Sequence, residues 1–227
     1  MATYDLEEQE QIAEMKAWWK QYGNLLAGVV AAVSIAIVAW QGWNWYQRNQ
    51  AAQASAVFAV MQKAVIESDA QRIKAASGEL IEKYAGTAYA PLAALMAARA
   101  MADAGDAKTA KVQLLWVAEH GKEELRDLAR LRLAALLLDD KAYDEALQQL
   151  DGSPGAGFAV RFQDSRGDIL RAQGKNAEAR AAYQTALAKL EEPEQGGRAK
   201  NTLQDRQANA AYRESLQQKL DSLGEPS

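Results

Sequence analysis

Cysteine is absent from the 227 residues, and histidine occurs once, at His120. Disulfides, thiolate zinc sites, iron–sulfur clusters, a cysteine nucleophile and a lipidated N-terminal cysteine are thereby excluded. A metal would have carboxylates alone to hold it, and a histidine-dependent catalytic triad would rest on one residue. Glycine (15) and proline (4) are scarce beside 48 alanines, a bias toward closely packed helices and away from sheets and tight turns. Basic side chains are not in excess: 26 against 30 acidic ones leave a net charge of −4, no electrostatic footprint for nucleic acid. Nearly half of the residues are apolar, and the length suits one sizeable domain of roughly 100–200 residues.

What the chain does have is one long uncharged run. Between Lys20 and Arg48 lie 27 residues without a formal charge, and their centre, Leu25 to Trp40 (LLAGVVAAVSIAIVAW), is almost wholly apolar. Extended to Tyr46 it exceeds the ~20 residues needed to cross a bilayer core. Trp18, Trp19 and Tyr22 bracket it on one side and Trp40, Trp43, Trp45 and Tyr46 on the other, where amphipathic rings prefer the headgroup region. A buried core helix seldom carries such belts. A cleavable signal peptide fits poorly, because the preceding stretch starts acidic (Asp5, Glu7, Glu8, Glu10, Glu14) where a basic n-region belongs. An uncleaved signal-anchor is therefore expected, and Lys16, Lys20 and the terminal amine against Arg48 favour a cytoplasmic N-terminus. Within the span Gly28, Ala32 and Ala36 share one helix face. They read either as a packing face for another membrane helix or as ordinary small residues of an alanine-rich chain.

Residues 49–227 carry 23 basic and 25 acidic side chains and read as soluble. Aligned on Gly174, the 34 positions from Val160 to Pro193 place Gly167, Leu170, Gly174, Ala179, Tyr183, Ala186 and Pro193 at a spacing that resembles a tetratricopeptide repeat. Small residues let two antiparallel helices approach, Tyr183 fills the space between them, Gly174 permits the turn, and proline ends the second helix. Ala146 with Ala134 and Leu137 repeats the pattern 33 residues earlier, and Ala110 with Ala98 and Met101 does so 36 residues before that. A degenerate fourth hairpin runs through Ala64, Ala76 and Leu80, with no glycine at its turn. After a break at Glu194-Gln-Gly196-Gly197, Leu203, Tyr212, Leu216, Leu220 and Leu223 form one stripe of a polar helix. It is expected to cap the open end of the stack and to turn its glutamine-, arginine- and lysine-rich side outward.

The expected organisation is thus all-α: residues 1–21 a cytoplasmic tail, 22–46 a transmembrane helix, 47–197 a tetratricopeptide-like solenoid of hairpins, and 198–227 a capping helix and tail. Motifs with chemistry fare badly against plainer readings. Gly152-Ser-Pro-Gly155-Ala-Gly157 lacks the following Gly-Lys-Ser/Thr and the preceding strand of a phosphate loop. Arg166-Gly167-Asp168 lies in a helix rather than on a loop, and His120 precedes Gly121 at a helix end, where a cation suits the last carbonyls. Asp139-Asp140 and Glu191-Glu192 read as solvated helix ends. No catalytic, metal or cofactor residues are assigned.

One constellation remains. By analogy with the repeat family, the first helix of each hairpin faces a concave groove at Leu92, Leu95, Arg99 and Ala102, at Leu128, Leu131, Ala135 and Leu138, and at Arg161, Asp164, Asp168 and Arg171. The groove would run from apolar to mixed charge, its leucines meeting extended or partly folded polypeptide and its charged end setting orientation. The competing reading makes the leucines of Leu125 to Leu138 buried core, since that helix is apolar nearly all round.

The order of several segments also carries a resemblance. Lys16-Ala-Trp-Trp19, Ala39-Trp40-Gln-Gly-Trp43, Leu131-Arg-Leu-Ala134, Asp164-Ser-Arg166-Gly167-Asp168 and Gly174-Lys175-Asn-Ala-Glu-Ala179-Arg180-Ala together resemble the YfgM family, bacterial ancillary subunits of the SecYEG translocon. The resemblance runs over essentially the whole chain, most specifically from Asp164 to Tyr183. It implies a cytoplasmic tail, one inner-membrane helix and a periplasmic repeat domain. It also implies association with SecYEG and the membrane-anchored chaperone PpiD, and a chaperone-like role in passing translocated polypeptides onward. It implies no catalytic residue, so an enzyme would need an unrecognised carboxylate site. Within binding proteins the alternative is a repeat scaffold for another envelope assembly, such as a stress-signalling complex.

Overall fold

A computed structural model describes the backbone of residues 2–191 and 203–224. Among them the regular structure is helical throughout: α1 (Ala2–Ile66), α2 (Ala70–Lys83), α3 (Tyr89–Asp103), α4 (Ala107–His120), α5 (Glu123–Asp139), α6 (Tyr143–Gln149), α7 (Ala156–Ala172), α8 (Asn176–Glu191) and α9 (Leu203–Asp221). The break predicted around Pro193 and Gly196–Gly197 lies outside the described residues, as do the side chains of Leu203 and of the first ten residues. The chain divides into two compact units, residues 1–53 and 54–227.

In the first unit, α1 is long and apolar enough to cross a membrane. From Leu25 to Val38 its valines, leucines and isoleucines are exposed, the state of a helix whose solvent is not water. Its one hydroxyl in that stretch is satisfied locally: Ser34 donates to the Val30 carbonyl at 2.8 Å. Trp18 lies 5.8 Å from Tyr22 and Trp43 lies 6.2 Å from Tyr46, ring centre to ring centre, so each belt is a cluster. Gly23 is buried beneath the Trp19 indole, which would sit 3.1 Å from any β-carbon placed there.

In the second unit, the end of α1 from Ala54 pairs with α2, α3 with α4, α5 with α6 and α7 with α8, and α9 packs on α8. Four hairpins share one turn geometry. At each, a residue with positive φ follows the first helix: Ser68 (55°), Gly105 (82°), Lys141 (61°) and Gly174 (77°). Each next residue donates its N–H five residues back, Asp69 to Ala64, Asp106 to Met101, Ala142 to Leu137 and Lys175 to Leu170, at 2.8–2.9 Å. This is the Schellman closure, which satisfies carbonyls left free at a helix C-terminus. Its acceptors Ala64, Met101, Leu137 and Leu170 are all buried, so the turn that reverses the chain also anchors the core. Asp69 and Asp106 then cap the following helices, accepting from Arg72 N and Thr109 N at 3.0 Å.

The equivalent first core positions of the second helices are Ile73, Ala110, Ala146 and Ala179, all buried. Alanine at three of the four lets the helices approach closely. The closest approach is in the last hairpin, where a β-carbon on Gly167 would lie 2.4 Å from the Tyr183 ring. Tyr183 is 0% exposed, so Arg166-Gly167-Asp168 is an interhelical contact rather than a displayed tripeptide. The loop from Gly152 to Gly155 serves packing as well: Asp127, 2% exposed on α5, accepts from the Gly155 N–H at 2.8 Å at the start of α7. His120 ends α4 stacked on Trp116, with Nδ1 3.0 Å from the Trp116 carbonyl.

Candidate binding groove

The first helices of successive hairpins line two cavities that share Leu128. The larger, about 660 Å³, is walled by Phe58, Ile73, Leu92, Leu95, Arg99 and Leu128 among others, with Arg132 at its side. The smaller, about 530 Å³, lies among Leu128, Leu131, Arg161, Asp164, Ser165 and, from α9, Asn209 and Tyr212. Leu92, Leu95, Arg99, Leu128, Leu131, Arg161 and Asp164 therefore all reach this surface. Asp168 and Arg171 line neither cavity. Leu95 is only 5% exposed and belongs to the core as much as to the groove, whereas Leu92 is 38% exposed. In α5 the two readings divide by position: Leu133 and Leu137 are buried, while Leu128 and Leu131 are half-buried.

At the charged end the acids are paired within the protein. Lys219 of α9 places Nζ 2.6 Å from Asp164 Oδ1 and 2.8 Å from Asp168 Oδ2, while Tyr212 donates to Asp164 Oδ2 at 2.9 Å and Tyr183 to Asp168 Oδ1 at 2.8 Å. All four carboxylate oxygens are thus engaged. Burial works to lower the Lys219 pKa, but its hydrogen bonds to Asp164 and Asp168 outweigh that and leave it raised. Burial first, then the neighbouring Asp168, pushes Tyr183 up; burial and Asp164 do the same to Tyr212. The ammonium also lies 5.6 Å from the centre of the Tyr183 ring. So α9 does not turn all its basic residues outward: Leu216 is buried with Leu170, Ala182 and Tyr183, and Lys219 follows it inward.

These contacts escaped the sequence reading. Lys219 is 51 and 55 residues from its partners, and no periodic signal links them. Its place three residues after Leu216, on the apolar stripe, was the available clue. Asp127 was missed likewise: a carboxylate between apolar turns of α5 was the signal of a buried acceptor. Gly28, Ala32 and Ala36 lie in α1, exposed, with nothing within 4 Å of a β-carbon at Gly28. Among the described residues no three His, Cys, Asp or Glu side chains form a metal-holding group.

Stacked hairpins around an apolar concave surface, following a segment long and apolar enough to span a membrane, define a membrane-associated helical-repeat protein of the tetratricopeptide type. The family model of the tetratricopeptide repeat-like domain matches residues 16–225. A protein of Neisseria gonorrhoeae called an ancillary SecYEG translocon subunit is 34% identical over 96% of this chain and 98% of its own length. Proteins of the same description from Haemophilus influenzae (29%, covering 81% and 90%) and Escherichia coli (32%, covering 79% and 87%) are similar too. The chain belongs to the family of ancillary SecYEG translocon subunits. Among solved structures, a MamA fragment from Desulfovibrio magneticus RS-1 superposes loosely, with a TM-score of 0.48 and 16% identity over 75% of this chain and 94% of its own.

Proposed function

We propose that this chain is a non-enzymatic inner-membrane protein associated with the SecYEG translocon, anchored by residues 22–46. Residues 1–21 form a cytoplasmic tail, and the repeat stack (47–197) with its capping helix (198–227) works on the periplasmic side. There its groove holds segments of newly translocated polypeptides and passes them to periplasmic chaperones, PpiD being the one the family resemblance suggests. The observation that carries the reading is the larger cavity, with the smaller, more polar one bordering it at Leu128: a mainly apolar concavity this size, on a surface built from repeated first helices, suits a polypeptide segment. The orientation rests on Lys16, Lys20 and the terminal amine before the span against Arg48 alone just after it. Gly28, Ala32 and Ala36 offer a close-packing face to a partner's membrane helix.

Photocrosslinking in native membranes tests this, with probes at Gly28, Leu131, Arg161 and Arg171 and mass spectrometry of the adducts. Translocon subunits are expected at Gly28, with translocating chains or a periplasmic chaperone at the groove probes. Cytosolic adducts at the groove probes would reverse the topology, and reproducible capture of another envelope assembly without translocon subunits would point to a scaffold elsewhere. Replacing Leu128 and Leu131 with serine separates groove from core. Peptide binding should fall in a protein that still melts cooperatively, whereas wholesale loss of stability would assign these leucines to the core alone.

A further inference from the structure

In the larger cavity one positive charge is left over once the internal pairings are made, whereas in the smaller Arg161 stands beside two acids that share a single lysine. Asp164 and Asp168 have every carboxylate oxygen engaged by Lys219, Tyr212 or Tyr183, and Arg99 is paired with Asp103 at 2.9 Å. Two arginines remain. Arg132 lines the larger cavity and Arg161 the smaller, and among the described residues no hydrogen bond or ion pair is made by either guanidinium. Arg132 is half-buried and stands four residues after Leu128 on the same face of α5. A guanidinium held against an apolar wall without a counter-ion is unfavourable, and its planar fork matches a carboxylate better than any other common group.

We propose that the groove selects extended segments in which apolar side chains are followed by an aspartate or glutamate. The apolar side chains fill the cavity lined by Leu92, Leu95 and Leu128, and the carboxylate pairs with Arg132; Arg161, beside Asp164, provides a weaker second seat further along. Segments with lysine or arginine in that place are disfavoured, because they set a second cation against Arg132. The inference rests on the groove reading above and narrows it to a class of ligand: apolar and acidic rather than apolar and basic.

The test uses the full chain in nanodiscs of zwitterionic lipid, so that the bilayer itself prefers neither charge, and neutral-dye-labelled decapeptides read by fluorescence anisotropy. One peptide carries three leucines followed by two glutamates, and its twin two lysines instead. The glutamate peptide is expected to bind about tenfold more tightly, since close charge pairs across an interface couple by at least that much. The difference should shrink as salt is raised. Arg132→Gln with Arg161→Gln should abolish it, and Arg132→Glu with Arg161→Glu should invert it, each with an unchanged melting curve. The neutral pair keeps the test open where the reversed pair fails to fold. Equal binding of the two peptides to the parent protein, or a preference that survives the neutral pair, overturns the charge selection and leaves the groove reading standing. Failure of both peptides to bind overturns the two together.

Discussion

Replacing Gly167 by alanine puts one methyl group where the structure has no room for it. The new β-carbon would meet Tyr183 Cε1 at 2.4 Å, Cδ1 at 2.5 Å and Cζ at 2.8 Å, about an ångström short of the roughly 3.5–4.0 Å at which carbon atoms rest together. A flexible side chain could yield, but this ring is fully buried and tethered through its hydroxyl to Asp168 at 2.8 Å. Two escapes remain. Either α7 and α8 part, an overpacking cost of about 1–3 kcal/mol, or the ring swings away and gives up a hydrogen bond to a charged acceptor, about 1.5–3 kcal/mol. Alanine's better helix propensity returns about 1 kcal/mol, so the net loss is up to about 2 kcal/mol. A loss of that size lowers the melting temperature by up to about 8 °C for a domain of this length. Hydrogen exchange should localise the damage to α7, α8 and α9, leaving α2 to α4 protected, because repeats stabilise one another through neighbouring interfaces. Gly157, in the same helix with open space around it, serves as control: Gly157→Ala should be neutral or slightly stabilising. A Gly167→Ala protein more stable than its parent, or one whose α7 and α8 exchange no faster, would refute the reasoning, for propensity would then outweigh the contact.

Three further outcomes follow from the same geometry. Ser68→Gly and Lys141→Gly should each stabilise the stack by up to about 1 kcal/mol in thermal melts, since both residues occupy the left-handed region that costs a side chain about 1–2 kcal/mol and glycine little. Asp127→Ala should cost about 1–3 kcal/mol by leaving the Gly155 N–H without its acceptor, with exchange accelerated at the start of α7. Lys219, Tyr183 and Tyr212 all have pKa values raised above their ordinary 10.5 or 10.0, so the folded state holds their protons more tightly than the unfolded chain does. Their contribution is complete below about pH 10 and is lost as pH rises beyond it. A pH series of melts should be flat from this source through neutrality and decline at the alkaline end, less steeply in Lys219→Met.

Periodicity and glycine made the last three hairpins legible, because Gly105 and Gly174 announce turns and Ala110, Ala146 and Ala179 announce close packing. The first hairpin was fainter for a physical reason: its left-handed residue is Ser68, and its core position is held by Ile73 where the others have alanine. The third kept its alanine pattern while Lys141 took the glycine's seat. Among groove residues, Leu128 and Leu131 were readable from position in the helix. Leu95 could not be divided between core and groove, since one face of α3 borders both. The fate of Asp164 and Asp168 was invisible, for it depends on a lysine brought in by tertiary packing, and single-sequence patterns carry no information on such pairs.

The arrangement of α9 gives the two acids of α7 a history during synthesis. Packing in the stack is mostly between elements adjacent along the chain, so structure can be acquired from one end as the polypeptide emerges, each hairpin settling on its predecessor. Asp164 and Asp168 would then stand beside Tyr183 without Lys219 until α9 forms. Lys219 closes them from 55 and 51 residues further along the chain. Until α9 docks, the stack ends in an acidic, partly apolar face, and the last helix is what turns that face into interior.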